Sequence, residues 1–434
     1  MKRKLIEKLL EWKELSNQSP ILLTGGRGVG KTYLVYDFAS SFYKESVYIN
    51  FEREPYLYDR LFCNNPSTVD CVLKDYFQLS EYHEPVLIIL DEITRCPDIE
   101  QVLNLLVQSK LTYHIIAISS SQVIDSMDCQ FYKLQLFPLD FEEFLIATGN
   151  EWYIEVITVH YKTNTKIPDI VHQELLTLFE LYLTVGGMPL AVNEYINTGA
   201  DFNVSEQHRI LLNSFTAESY KENSEGDFLK INQMLGTIDK QLMKENRKFQ
   251  YKMIRKGATQ ALYSDALKYI KNSCYGMCCY KLTEDMMDKL TDDSADSIHN
   301  SLKSYNLDQN HLNFKLYLLD TGLLQSIITY QGIQLKEQHR KGLLENYVAQ
   351  GLAANGYPLY FWESDSQAKL DFILYKDGML IPVEVRANDN TRSRNVSTFR
   401  RKFDKVTDSI KISTRNFEYT NHVKYVPIYA VFCI

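Results

Sequence analysis

Two stretches of this chain carry residue types and spacings suited to phosphate chemistry. The first is Gly25-Gly26-Arg27-Gly28-Val29-Gly30-Lys31-Thr32, the pattern G-x-x-x-x-G-K-T, with apolar Ile21 to Leu23 before it and helical periodicity from Tyr33 to Ala39 after it. A strand, a glycine loop and a helix in that order make a phosphate cradle. Gly25, Gly28 and Gly30 permit backbone angles and a close approach that a Cβ would block, so the N–H groups of Gly25 to Gly30 and the positive helix end can face an anion. Lys31 would then reach the β- and γ-phosphates, and the Thr32 hydroxyl would hold Mg²⁺. A glycine-rich turn without ligand is the competing reading, and the complete pattern in its required context speaks against it.

The second stretch is Val86-Leu87-Ile88-Ile89-Leu90-Asp91-Glu92, an apolar run after Pro85 that ends in two acids. Unbroken apolar runs of this length suit a parallel strand buried on both faces, and ligands gather at the carboxyl ends of such strands. Asp91 is therefore expected in the Mg²⁺ shell, with Glu92 placed to orient and polarise the attacking water. Ile115 to Ser121 is a third apolar run, ending in serines. Ser119 or Ser120 is the candidate for sensing the γ-phosphate or holding that water, with a plain loop or helix cap as the equal alternative.

Acids recur near the far end of the chain. Glu345 falls in an apolar-periodic helix from Leu343 to Asn355, Asp371 in a Leu370-to-Leu374 strand, and Glu384 in Ile381-Pro382-Val383-Glu384-Val385-Arg386. A helix acid, a strand Asp and an E-x-basic pair is the layout of a Mg²⁺-dependent nuclease core, in which Glu345, Asp371 and Glu384 would hold Mg²⁺ or Mn²⁺. Here the basic residue is Arg386, which keeps its charge and cannot serve as a base. A solvated sheet face with ion pairs is the other reading.

The elements that must position these groups follow from the pattern. Strands are expected at Ile21 to Thr24, Val47 to Phe51, Val86 to Leu90, His114 to Ser119 and Lys133 to Leu136, alternating with helices, which describes an α/β doubly wound parallel sheet. Residues 1–150 are read as this P-loop domain, 151–227 as a helical lid, 228–328 as a winged-helix domain and 329–434 as a small α/β unit. Gly186-Gly187 breaks the lid helices and Pro189 starts another.

Composition bounds the rest. The chain has 434 residues, 45% of them apolar, and a net charge of −8, ample for several packed cores. Residues 228–281 carry eleven Lys or Arg against Asp239, Glu245 and Asp265. That local excess makes Arg247, Lys248, Lys252, Arg255 and Lys256 candidate phosphate contacts for DNA or RNA, or else a solvated basic face. The charged N-terminal helix is not a secretory signal, and no apolar run reaches the roughly eighteen residues of a membrane span. Scattered cysteines suggest a reducing, cytoplasmic setting, and Cys274, Cys278 and Cys279 read better as buried strand thiols than as a zinc site.

Taken in order, Gly25 to Thr32, Leu90 to Ile93, Phe137 to Phe144, Gly186 to Pro189, Lys315 to Leu324, Glu345 to Ala349 and Val383 to Val385 resemble the prokaryotic AAA-type ATPases that carry a C-terminal domain of unknown function with a PD-(D/E)xK nuclease-like core. The resemblance covers essentially the whole chain and extends to the signalling ATPases called STAND. It implies ATP and Mg²⁺ as cofactors and makes Pro189, in Gly187-Met188-Pro189, a candidate adenine contact. Two departures stand out. Cys129 to Tyr132 replace the Gly-Arg pair that commonly precedes the Pro-Leu-x-x-Phe segment, which implies slow hydrolysis, and Arg386 stands where the nuclease pattern has lysine. The resemblance implies an ATPase switch that presents its winged-helix and nuclease-like domains to nucleic acid, to a protein partner or to a second copy. A static ATP-binding scaffold and an ATP-gated nuclease are the rival expectations.

Overall fold

The computed structural model describes residues 1–15, 19–56, 85–96, 113–121, 131–199, 203–283, 313–330, 337–364, 368–387, 394–403 and 405–434, with a few single positions between 71 and 104. Cys129 and Gln130, considered above, lie outside the described residues. The chain divides into two compact units, residues 1–137 with 272–275, and residues 138–271 with 276–434.

The first unit is built on a parallel five-stranded sheet in the order β2-β3-β4-β1-β5, from β1 (Ile21–Thr24), β2 (Ser46–Asn50), β3 (Val86–Asp91), β4 (Tyr113–Ser119) and β5 (Tyr132–Gln135). β1 and β3 are buried along their whole length, as expected of strands covered on both faces. Alternation divides them cleanly: Leu22, Val47, Ile49, Ile88, Leu90, Ile115 and Ala117 pack into one core cluster, while Leu23, Leu87, Ile89 and Ile116 are equally buried on the other side. The helix Lys31–Phe42 starts directly after Gly30. All five expected strands are present within a residue or two of their expected ends.

The second unit begins with helices. Asp140 caps the helix Phe141–Ala147 by accepting the Glu143 N–H at 2.9 Å, and the helices Trp152–Thr163, Asp169–Val185, Pro189–Thr198, Ser205–Glu222, Glu225–Leu235, Ile238–Met243 and Gln260–Asn272 follow. A four-stranded sheet then has the order β7-β6-β8-β9, from β6 (Gly276–Lys281), β7 (Phe314–Leu318), β8 (Tyr360–Glu363) and β9 (Lys369–Leu370). β6 pairs antiparallel with β7 and parallel with β8. Strands from both sides of residues 328 and 329 therefore share one sheet. Cys279 is wholly buried in β6, and burial drives the Cys278 thiol up to about 11.

The last sheet, β10-β11-β12-β14-β13, uses β10 (Phe372–Lys376), β11 (Met379–Val385), β12 (Ser409–Ser413), β13 (Glu418–Thr420) and β14 (Val423–Pro427), beside the helix Glu337–Ala354. The glycine pair after Asp169–Val185 is fixed by contact. Gly186 has φ +76°, and a Cβ on Gly187 would lie 2.0 Å from the Leu139 carbonyl oxygen. Gly187 donates its N–H to the buried Asp320 carboxylate at 2.7 Å and accepts the Leu139 N–H at 2.7 Å. Only a residue without a side chain fits there.

Candidate functional site: a phosphate loop facing two acids

Elements of the first unit converge at the carboxyl edge of its sheet. The loop between β1 and the helix Lys31–Phe42 has Gly25, Gly28 and Gly30 at φ +153°, +83° and +96°, the last two in a region that side chains avoid. A Cβ on Gly25 would stand 2.4 Å from the Leu136 carbonyl oxygen. The loop is braced from outside by Arg3, nearly buried, which donates to the Val29 carbonyl at 2.8 Å and to the Phe137 carbonyl at 2.5 Å.

Within the cradle, Lys31 Nζ donates to the carbonyls of Gly25 at 2.7 Å and Gly26 at 3.1 Å and reaches Ser120 Oγ at 3.4 Å. Thr32 Oγ1 donates to Asp91 Oδ2 at 3.0 Å. Glu92 turns at φ +52°, an uncommon angle for a residue with a side chain and one that concentrates at functional sites. Its backbone N–H bonds Asp91 Oδ1 at 2.9 Å, and its Oε1 accepts from Ser120 Oγ at 3.3 Å. The two serines part company: Ser120 joins Lys31 and Glu92, whereas the buried Ser119 donates to the Ser121 carbonyl at 2.6 Å. Lys31, Thr32, Asp91, Glu92 and Ser120, named from separate stretches, are thus brought together.

Sequence reasoning missed Tyr48. Its hydroxyl donates to Asp91 Oδ2 at 2.7 Å, the oxygen that Thr32 also uses, and accepts from Asn50 Nδ2 at 3.1 Å. Burial pushes the Tyr48 phenol above its ordinary value, and the bond it donates to Asp91 adds to that shift; it remains a donor at any working pH. The signal was present in the alternation of β2, which puts Tyr48 and Asn50 on one face at the carboxyl end of the strand next to β3.

The donor set fits a nucleotide with Mg²⁺. A cradle of backbone N–H groups and one ammonium suits phosphate oxygens, and a hydroxyl beside a carboxylate suits a hard divalent ion. Pro189 opens the helix Pro189–Thr198 in the second unit, half-buried.

The acids of the C-terminal unit are held quite differently. Glu345 is fully buried; its Oε1 accepts from Lys315 Nζ at 2.8 Å and Tyr317 OH at 2.6 Å, and its Oε2 lies 2.9 Å from Arg247 Nη1. Burial alone would raise its pKa, but Arg247 and Lys315 overcome that and bring the carboxyl down to about 2. Glu384 is also buried; its Oε1 accepts from Arg386 Nη2 at 3.0 Å and Asn395 Nδ2 at 3.1 Å, while Lys411 Nζ stands 3.7 Å from Oε2. Asp371 Oδ2 accepts the Val385 N–H at 2.8 Å, and burial with the nearby Glu345 charge raises its pKa.

Among the described residues no group of three His, Cys, Asp or Glu side chains is gathered closely enough to hold a metal ion. Glu345 and Glu384, expected with Asp371 to hold one ion, each face an arginine and a lysine, while Asp371 takes a backbone N–H. A correction concerns Arg247, which is buried against Glu345 and is not a surface phosphate contact. Lys248 bonds Glu363 at 2.6 Å, whereas Lys252, Arg255 and Lys256 are exposed.

Comparison with known proteins agrees with the geometry of the first unit. Residues 17–145 match the family described as an AAA domain, and residues 340–431 match a domain of unknown function (DUF4143). No curated protein matches the chain. Among solved structures, the chain is similar to the Walker-type ATPase PABY2304 of Pyrococcus abyssi, with 14% identity, 75% of this chain and 95% of that one covered, and a TM-score of 0.39. It is also similar to the Aeropyrum pernix ORC1 protein, solved in complex with DNA, with 13% identity, coverages of 75% and 91%, and a TM-score of 0.27. The AAA-domain match and the P-loop geometry thus coincide within residues 17–145.

Proposed function

We propose that the protein is a Mg²⁺-dependent ATPase whose nucleotide state governs how its remaining domains are offered to nucleic acid or to a partner. The observation that carries the ATPase reading is the 3.0 Å bond from Thr32 to Asp91, which joins the last residue of the glycine motif to the acid that ends β3. When bound, Mg²⁺ supplies charge neutralisation of the phosphates; Thr32 and Asp91 are the residues that would hold it. Lys31 has only to leave two carbonyls of its own loop to meet a phosphate oxygen. Glu92, steadied by Ser120, is the base that orients water, and Tyr48 fixes the Asp91 carboxylate from the β2 side. Pro189 remains the candidate adenine contact.

In this reading residues 228–328 are the winged-helix part, with Lys252, Arg255 and Lys256 as its outward cations, and residues 329–434 keep a nuclease-like fold with weak or lost cleavage. The carboxylates of the last unit favour loss of cleavage over an ATP-gated nuclease, because each is engaged by an arginine, a lysine or a backbone amide. The test is ATP turnover with and without double-stranded DNA. Stimulated turnover that vanishes in Glu92→Gln supports the switch; ATP binding with no turnover under either condition supports a static scaffold instead.

A further inference from the structure

In the second unit the carboxylates of Glu345, Asp371 and Glu384 are outnumbered by the cations set around them: Arg247, Lys315, Lys341, Arg386 and Lys411. Arg247 and Lys315 serve Glu345, and Arg386 and Lys411 serve Glu384. Lys341 lies one helical turn before Glu345 and therefore on its face, where it is half-buried. Two positive charges are left in excess. The buried atoms of this cluster without a hydrogen-bond partner are Arg247 Nε and Arg386 Nε among the donors and Glu345 Oε2 and Glu384 Oε2 among the acceptors. Buried donors are satisfied in the great majority of cases, so each such orphan calls for an account. Arg386 is about a quarter exposed, at 26%, and Asp371 and Lys341 are half-buried, so these three form the solvent side of the cluster.

We propose that this centre binds phosphate oxygens directly, through Arg386 and Lys341, and takes the phosphodiester backbone of a nucleic acid with no divalent ion between them. A guanidinium offers a planar fork matched to two phosphate oxygens, and an ammonium adds a point charge. Arg247, Lys315 and Lys411 are not contacts. They neutralise Glu345 and Glu384 and so remove the repulsion that those acids would exert on a phosphate. The fixed cations take over the charge role of metal ions, leaving a binding centre without a water-activating ion.

The proposal does not depend on the nucleotide reading, and ATP is left out of its test. A fluorescein-labelled double-stranded oligonucleotide is titrated with the full chain in EDTA, across a range of salt concentrations, by anisotropy. Binding is expected in EDTA, unchanged by added Mn²⁺ and competed by millimolar inorganic phosphate. Arg386→Gln should weaken binding about tenfold and lower the salt slope by about 0.9, the share of one phosphate contact, while Arg386→Lys should keep most of the slope.

The decisive variant is Asp371→Asn. Removing a negative charge beside the phosphate should tighten binding several-fold, whereas a metal-bridged site would lose it. Thermal melts of each variant, matched to wild type, keep these comparisons valid. The proposal is overturned by binding that requires Mn²⁺, by weaker binding in a folded Asp371→Asn, or by an unaltered salt slope in Arg386→Gln. The last result would assign the oligonucleotide to other cations, such as Lys252, Arg255 and Lys256.

Discussion

Acids in the two units meet different company. Asp91 and Glu92 accept from the hydroxyls of Thr32, Tyr48 and Ser120 and from a backbone N–H. Glu345 and Glu384 each face an arginine and a lysine, beside the Tyr317 hydroxyl and the Asn395 amide. A carboxylate bonded to hydroxyls keeps its charge available for a divalent ion. One set against guanidinium and ammonium groups already has its charge offset by them. Acid spacing alone therefore does not define a metal site; the partners do.

The largest expected effect breaks the buried side of this contrast. Glu345→Ala leaves Arg247 and Lys315 charged and unpaired in the core, which should cost about 3–5 kcal/mol of stability. Denaturant unfolding of the wild type and the variant measures it. A loss below about 1 kcal/mol would mean that the cluster is far more hydrated than its burial implies.

Next in size is Lys31→Ala, expected to weaken ATP·Mg²⁺ binding about a hundredfold, roughly 3 kcal/mol, with little change in unfolding midpoint. Calorimetric titration reads the affinity, and an unchanged value would remove the cradle from the account.

Acid titration probes the same contrast. Glu345 has its pKa held at about 2, against an ordinary 4.5. A depressed carboxylate contributes stability that is fully present above 4.5 and is lost as pH falls toward 2, at most about 3 kcal/mol. Asp371, raised by burial, acts in the opposite sense and gives back part of that as it protonates. Stability measured between pH 5 and pH 2.5 should fall more steeply in the wild type than in Glu345→Gln.

The smallest effect belongs to Tyr48→Phe. Losing one of the two side-chain donors on Asp91 Oδ2 should cost about 1 kcal/mol, seen as a several-fold change in the Mg²⁺ concentration needed for half-maximal ATP binding. An unchanged requirement would reduce Tyr48 to packing.

The first unit was the more legible in sequence, and the reason is physical. Its strands are short apolar runs buried on both faces, and its loop is a contiguous motif, so local pattern and final position coincide. The alternation of β2 marks Tyr48 as facing the sheet's carboxyl edge, but its role also depends on β2 lying beside β3, which no local pattern states. In the second unit, Glu345, Asp371 and Glu384 stand out in sequence as possible metal ligands or as a solvated face with ion pairs, but their burial is not legible there, and their partners Arg247, Lys315 and Lys411 come from distant segments. Arg247 was placed on a basic surface because charge density was visible in sequence and burial was not. The sheet joining β6 to β8 escaped for the same reason: a parallel pairing between strands so far apart in sequence leaves no local signature.

The central claim is that the first unit turns over ATP through Glu92 while Lys31 and Thr32 hold it, and single-turnover hydrolysis of ATP·Mg²⁺ by wild type and Glu92→Gln tests it most directly. The account predicts that both bind ATP comparably and that only the wild type releases phosphate, with the variant slowed at least about a hundredfold. Equal phosphate release by the two proteins would contradict it.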